Sequence, residues 1–181
     1  MLQWWDKLKR YFYSRALNEK TIGADTRRTV INLADTKTIG ILYDSTNPDN
    51  DIIITKFAEQ LRNSGKQVEI LAYQHDTKTE HKADVQVFNK KGVSWCGVPF
   101  DERTLQFAGK KYDLLLACFT AENLPLEFIS AMSKARWRVG AYNKAKTNCF
   151  DMMINTGDKA NVQYFITQAT EFLKNIKYDT N

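Results

Sequence analysis

The chain has no long apolar run: nothing in it approaches the ~20 apolar residues that span a bilayer. Its opening, Met1-Leu2-Gln3-Trp4-Trp5-Asp6, leads into charges where a signal peptide would carry its apolar core. Both absences make the cytoplasm the expected location. Histidine is limited to His75 and His81, six apart in a polar segment and at neither zincin nor zinc-finger spacing from a cysteine or carboxylate. They read as solvated loop residues, and no metal is expected. Cys96, Cys118 and Cys149 are odd in number and widely spaced, each in or beside an expected strand. That pattern predicts buried free thiols rather than disulfides. Glycine-rich phosphate loops are missing, since neither G-x-G-x-x-G nor the Walker pattern occurs. No cofactor is expected. Internal repeats and low-complexity tracts are absent as well.

Positive charge is present, but at one end. Residues 1–28 hold seven basic side chains (Lys7, Lys9, Arg10, Arg15, Lys20, Arg27, Arg28) against Asp6, Glu19 and Asp25, so they carry +4 of the net +5. The rest is nearly neutral, and Trp95, Phe107 and Trp137 do not interleave with a basic stripe. Nucleic acid is therefore not an expected partner.

The segment 110–143 reads as strand, helix, strand. Tyr112 to Phe119 contains the unbroken run Leu114-Leu115-Leu116-Ala117-Cys118-Phe119, too short for a helix and without alternation, as in a parallel strand covered on both faces. Pro125 suits a first helical turn, and Leu126, Ile129, Met132 and Ala135 follow at spacings of three. Trp137 and Val139 then alternate with charge up to Gly140, which permits a close approach.

The same alternation runs on either side. Lys37–Tyr43 predicts a first strand, and the polar loop Ser45–Asp51 precedes a helix with Ile54, Phe57, Ala58 and Leu61 on one face and Gly65 at its end. Gln67–Tyr73 predicts a second strand, Val85–Phe88 a short third, Val93–Cys96 an extended piece, Asp101–Ala108 a short helix, and Phe150–Ile154 a last strand. Val162 to Ile176 keeps helical spacing without a breaker. The expected fold is α/β: a doubly wound, mainly parallel sheet of about five strands, a Rossmann-like three-layer sandwich with an added N-terminal amphipathic helix. Residues 1–36 form the helix and a connector, and 37–181 the α/β domain, in one globular unit.

Such sheets bind ligands at the carboxyl ends of their strands. The candidates there are Asp44, Ser45, Thr46, Thr120, Asn143, Asn155 and Thr156, hydrogen-bonding residues close to helix N-termini, which favour anions. A phospho-acceptor receiver is excluded because Asn89-Lys90-Lys91 stands where its aspartate belongs, and Pro48 among Asp and Asn residues is a poor match to a flavodoxin phosphate loop. Cys118 lies inside an apolar run with no histidine nearby, which is a structural setting rather than a nucleophile's.

Several segments together, namely Lys37–Leu42, Trp95-Cys96-Gly97-Val98-Pro99, Tyr112-Asp113-Leu114-Leu115, Ser133–Gly140 and Phe150–Ile154, resemble a family of uncharacterised small bacterial single-domain α/β proteins. That resemblance implies a fold without an assigned activity. The chain is also similar, more faintly, to the N-terminal half of heptosyltransferase-type glycosyltransferases, where an Asp-led apolar strand precedes a helix and an Arg-x-Val-Gly strand. It departs from them in lacking the Gly-Asp of their first loop and a second domain for the nucleotide sugar.

The leading expectation is a non-catalytic binding or interaction protein, acting on a protein partner or on itself. One alternative is binding of a small anion, a nucleotide or sugar phosphate, or transferase-like chemistry, at the strand ends. Another is peripheral membrane association through the first helix. In that helix Met1, Trp5, Leu8, Phe12 and Ala16 share a face, with Gln3, Asp6, Lys7, Arg10 and Ser14 opposite. Trp5, Leu8 and Phe12 are its expected contact residues, against its own domain or a second copy.

Overall fold

The computed structural model describes residues 2–21, 28–76, 84–142, 148–157 and 161–177. Its sheet is built outward from β4 (Leu114–Cys118), all of whose residues are buried. Leu114, Leu116 and Cys118 point into one core and Leu115 and Ala117 into the other. A strand apolar on both faces must be covered on both, and it is.

Around it stand β1 (Thr38–Asp44), β2 (Gln67–Gln74), β3 (Val85–Asn89), β5 (Trp137–Ala141) and β6 (Met152–Ile154). Six strands run parallel in the order β3-β2-β1-β4-β5-β6, one more than the expected five or so. Helices α2 (Pro48–Asn63) and α5 (Val162–Asn175) cover one face, through Ile54, Phe57, Leu61, Phe165, Ile166 and Leu173. On the other face α3 (Glu102–Gly109) and α4 (Leu124–Met132) contribute Phe107, Leu126 and Ile129. Beyond the short β3 the chain is irregular: a 3₁₀ turn, Lys90–Gly92, is followed by a tight loop closed by an antiparallel bridge between Val93 and Pro99. Gly97 at the turn has φ +91, where a side chain would be strained.

Helix α1 (Leu2–Thr21) runs on past Ala16, the last residue of its apolar face, to Thr21. It lies on α4, and this explains why α4 is buried on nearly every side, Phe128 included. Further on, the connector is pinned to the domain where Thr29 and Leu33 donate backbone hydrogen bonds to Arg136 and Leu173. Ile31 and Leu33 are its buried apolar residues, and Val30 is exposed.

Arg138 and Asp151 tie β5 to the chain entering β6. The guanidinium donates from Nε to Oδ2 at 3.0 Å and from Nη2 to Oδ1 at 2.8 Å, and Nη1 donates to the carbonyls of Ser130 and Ala131 in the last turn of α4. A buried cation is tolerated here because nearly all its donors are used. All three cysteines are buried free thiols, and complete burial raises the Cys118 thiol well above its ordinary pKa. That thiol is not poised as a nucleophile.

Candidate functional site

In this strand order the chain leaves β1 towards one side of the sheet and β4 starts the other, so the point of reversal lies between their carboxyl ends. Asp44 closes β1. Its Oδ2 accepts from Asn123 Nδ2 at 2.8 Å and its Oδ1 from the Thr46 N–H at 2.9 Å, while Asn50 Nδ2 donates to its carbonyl. Asn123 also caps α4, its Oδ1 accepting from the Leu126 N–H and its own N–H donating to Glu127 Oε1 at 2.8 Å. One amide therefore bridges the crevice and begins a helix.

The N-terminus of α2 is unsuited to a phosphate. Pro48 offers no N–H, Asn47 takes the Asp49 N–H, and both Asp49 and Asp51 stand in the first turn. Asp51 Oδ1 accepts from the Tyr43 and Ser45 hydroxyls, each at 2.7 Å. An anion placed there would meet carboxylates instead of free donors.

The open space lies beside this closed point. A cleft of about 600 Å³ sits over the ends of β2, β3 and β4, under α1. Lys9 and Arg10 from α1, His75 after β2 and Lys90 after β3 enter it, against Asp6 and Glu122. Glu122 is already paired with Arg10 at 3.2 Å. Tyr73, Trp95, Leu124 and Pro125 give it apolar walls. Burial, and then the nearby Asp44 charge, raise the Tyr73 phenol above its ordinary pKa, so at neutral pH its hydroxyl stays protonated.

The roof is held by a face of α1 that periodicity does not mark. Tyr13 is the helix's buried aromatic: its hydroxyl donates to the Leu124 carbonyl at 3.1 Å and its ring meets Phe128 edge-on at 5.7 Å. Burial, with Cys149, Glu127 and Glu122 adding to it, pushes the Tyr13 phenol far up. Arg10, Ser14 and Leu17 border a second hollow of about 440 Å³ beside Cys149. The Trp5–Leu8–Phe12 face points elsewhere, with Trp5 58% and Phe12 40% exposed and Leu8 half-buried. Phe12 meets Trp95 at 5.4 Å, and this is the one aromatic contact from that face to the domain among the described residues.

A family profile matches residues 9–176, from within α1 to the residue after α5. The chain belongs to that family of unknown function, DUF6913. No curated protein matches the chain. The family's span includes α1 from Lys9 onward, so most of the helix that roofs the cleft lies within the DUF6913 region.

The candidates read from the sequence separate into two groups in this DUF6913 chain. Asp44, Ser45 and Thr46 meet at the reversal point, where Thr46 Oγ1 also accepts from the His75 N–H at 3.2 Å. Thr120, half-buried, follows β4. Asn155 and Thr156 follow β6, three strands from β1 or roughly 14 Å at the usual strand spacing. There Asn155 Oδ1 accepts from the Gly157 N–H and closes a turn. Asn143 lies outside the described residues. None of the described candidates lines the cleft, whose walls are Tyr73, His75, Lys90, Trp95 and Asn123 with the α1 side chains. Asn123 stood in a strand-end loop and could have been singled out as an N-cap; for Lys9 and Lys90 no local signal exists. Among the described residues no three His, Cys, Asp or Glu side chains converge in a metal-binding group.

Proposed function

We propose that this chain is a non-catalytic binding protein that holds a small anionic molecule in the cleft under α1. The observation that carries this reading is the convergence of Lys9, Arg10 and Lys90, from two distant parts of the chain, on one hollow at the carboxyl ends of the strands. A volume of about 600 Å³ is in the range of small-ligand sites. Lys9 is half-buried and Arg10 and Lys90 are exposed; against these three cations the lining sets Asp6 and Glu122, and a positive excess remains that favours an anion. Tyr73 and Trp95 offer flat apolar surface to the remainder of the ligand, which favours a nucleoside or sugar phosphate over a bare ion.

The test is thermal unfolding with AMP, glucose 6-phosphate and inorganic phosphate. A ligand at 100 times its dissociation constant adds about 2.7 kcal/mol of stability. We expect AMP or glucose 6-phosphate to raise the midpoint more than phosphate does, and Lys90→Glu to abolish the rise. The ligand should be recovered chemically unchanged. If none of the three raises the midpoint at millimolar concentration, the reading fails.

A further inference from the structure

Helix α1 has two working faces. Taking about 100° per residue, Trp4, Trp5, Leu8, Tyr11 and Phe12 fall within about 120° of its circumference, and Tyr13 and Leu17 stand nearly opposite the middle of that arc. The Tyr13 side is held by the Leu124 carbonyl and Phe128, so the other side is turned away from the domain. Trp4 is 61% exposed and Tyr11 60%. Trp95, equally exposed, extends the stripe onto the domain through its contact with Phe12. This much exposed aromatic surface on one side of a helix marks a surface that something covers.

We propose that this stripe is a docking surface for an anionic lipid bilayer, on which the chain lies with α1 in the headgroup plane. Three observations select lipid. Tryptophan and tyrosine, with an apolar body and a polar tip, suit the interface between headgroup and acyl chain. Within α1 the basic Lys7, Lys9, Arg10, Arg15 and Lys20 outnumber Asp6 and Glu19, and Lys7, Lys9 and Lys20 border the stripe on both sides, a charge complement to anionic headgroups. Two copies of so positive a segment would repel each other if stripe met stripe, which disfavours a dimer. No described helix is long and apolar enough to cross a membrane, so α1 lies on the surface.

The experiment is co-sedimentation of the full chain with vesicles of phosphatidylcholine alone and of phosphatidylcholine mixed with phosphatidylglycerol, with tryptophan emission recorded. Binding is expected to the mixed vesicles, with a blue shift, and to weaken as salt is raised. Trp5→Ala with Phe12→Ala should lower partitioning about tenfold or more. Lys7→Glu with Lys20→Glu should do so too, at about fivefold or more per lysine. The altered side chains are exposed or half-buried, and circular dichroism checks that each variant is folded. Failure of the unaltered chain to bind mixed vesicles overturns the proposal. So does binding that survives the aromatic double substitution, or a dimer in light scattering that this substitution dissociates while vesicles are ignored. Ligand binding in the cleft is scored separately with the Lys7→Glu and Lys20→Glu pair, which alters no lining residue and leaves the Phe12–Trp95 contact in place.

Discussion

The Asn123 side chain donates to Asp44 across the reversal point of the sheet at 2.8 Å, although 79 residues separate the two in sequence. The same side chain caps α4, so one substitution tests both roles. Asn123→Ala should cost about 2–3 kcal/mol, a cap of about 1 kcal/mol plus a partner lost to a half-buried carboxylate. Asp44→Ala should cost less, because it leaves the cap in place. Urea denaturation of the two single variants and the double variant would measure the coupling.

Arg138 and Asp151 form the least exposed ion pair among the described residues, with side chains 9% and 16% exposed. Arg138→Ala takes the bidentate partner from Asp151 and leaves it only the more distant Arg28, so it should lose about 3 kcal/mol. Arg28 sits 3.8 Å from Asp151 and is more exposed, at 27%. Arg28→Ala should therefore lose clearly less, and equal losses would contradict this ranking.

Gly140 lies under Phe150. A Cβ there would stand 2.5 Å from the ring, closer than packing allows. Gly140→Ala should destabilise by about 1–3 kcal/mol. Adding Phe150→Leu should recover part of the loss, and a purely additive double variant would show that the contact is not the cause.

Asp113 supplies the pH dependence. Burial raises its pKa, but hydrogen bonds from the Thr38 and Lys37 N–H groups, the Thr38 hydroxyl and Arg136 outweigh this and hold it below the usual carboxylate range. A depressed carboxylate contributes stability above its unfolded pKa of about 3.9, and that contribution disappears as pH falls through the folded value. The gap in unfolding free energy between the unaltered chain and Asp113→Asn should thus be constant above about pH 5 and shrink below about pH 4. A gap that stays constant through that range would refute the assignment.

Tyr13→Phe removes the hydroxyl that α1 donates to the Leu124 carbonyl. It should weaken docking of the helix by about 1 kcal/mol. Faster amide exchange is expected in α1 and the start of α4, with the sheet unchanged. The Trp5→Ala and Phe12→Ala changes should leave exchange in α4 as it was.

The sheet could be read directly from the chain because each of its signals is local. The apolar run Leu114–Phe119 has no polar side, which only a strand covered on both faces can satisfy, and Gly140 after Val139 marked the close approach that Phe150 makes. The buried faces of α2 and α5 follow from spacing alone. Three features were decided only by tertiary structure. Which face of α1 docks was one: periodicity selects the most apolar face, but Tyr13 docks because the Leu124 carbonyl and Phe128 await it, on an element more than a hundred residues away. The cleft was another, since Lys9 and Lys90 become neighbours only when the strand order sets β3 and β2 beside β1 and α1 crosses above them. The same order carries Asn155 and Thr156 to the far side of the sheet, although they end a strand like any other candidate. Hydrophobic spacing is a property of neighbours along the chain, whereas a site is made of groups that meet only after the sheet has chosen its order.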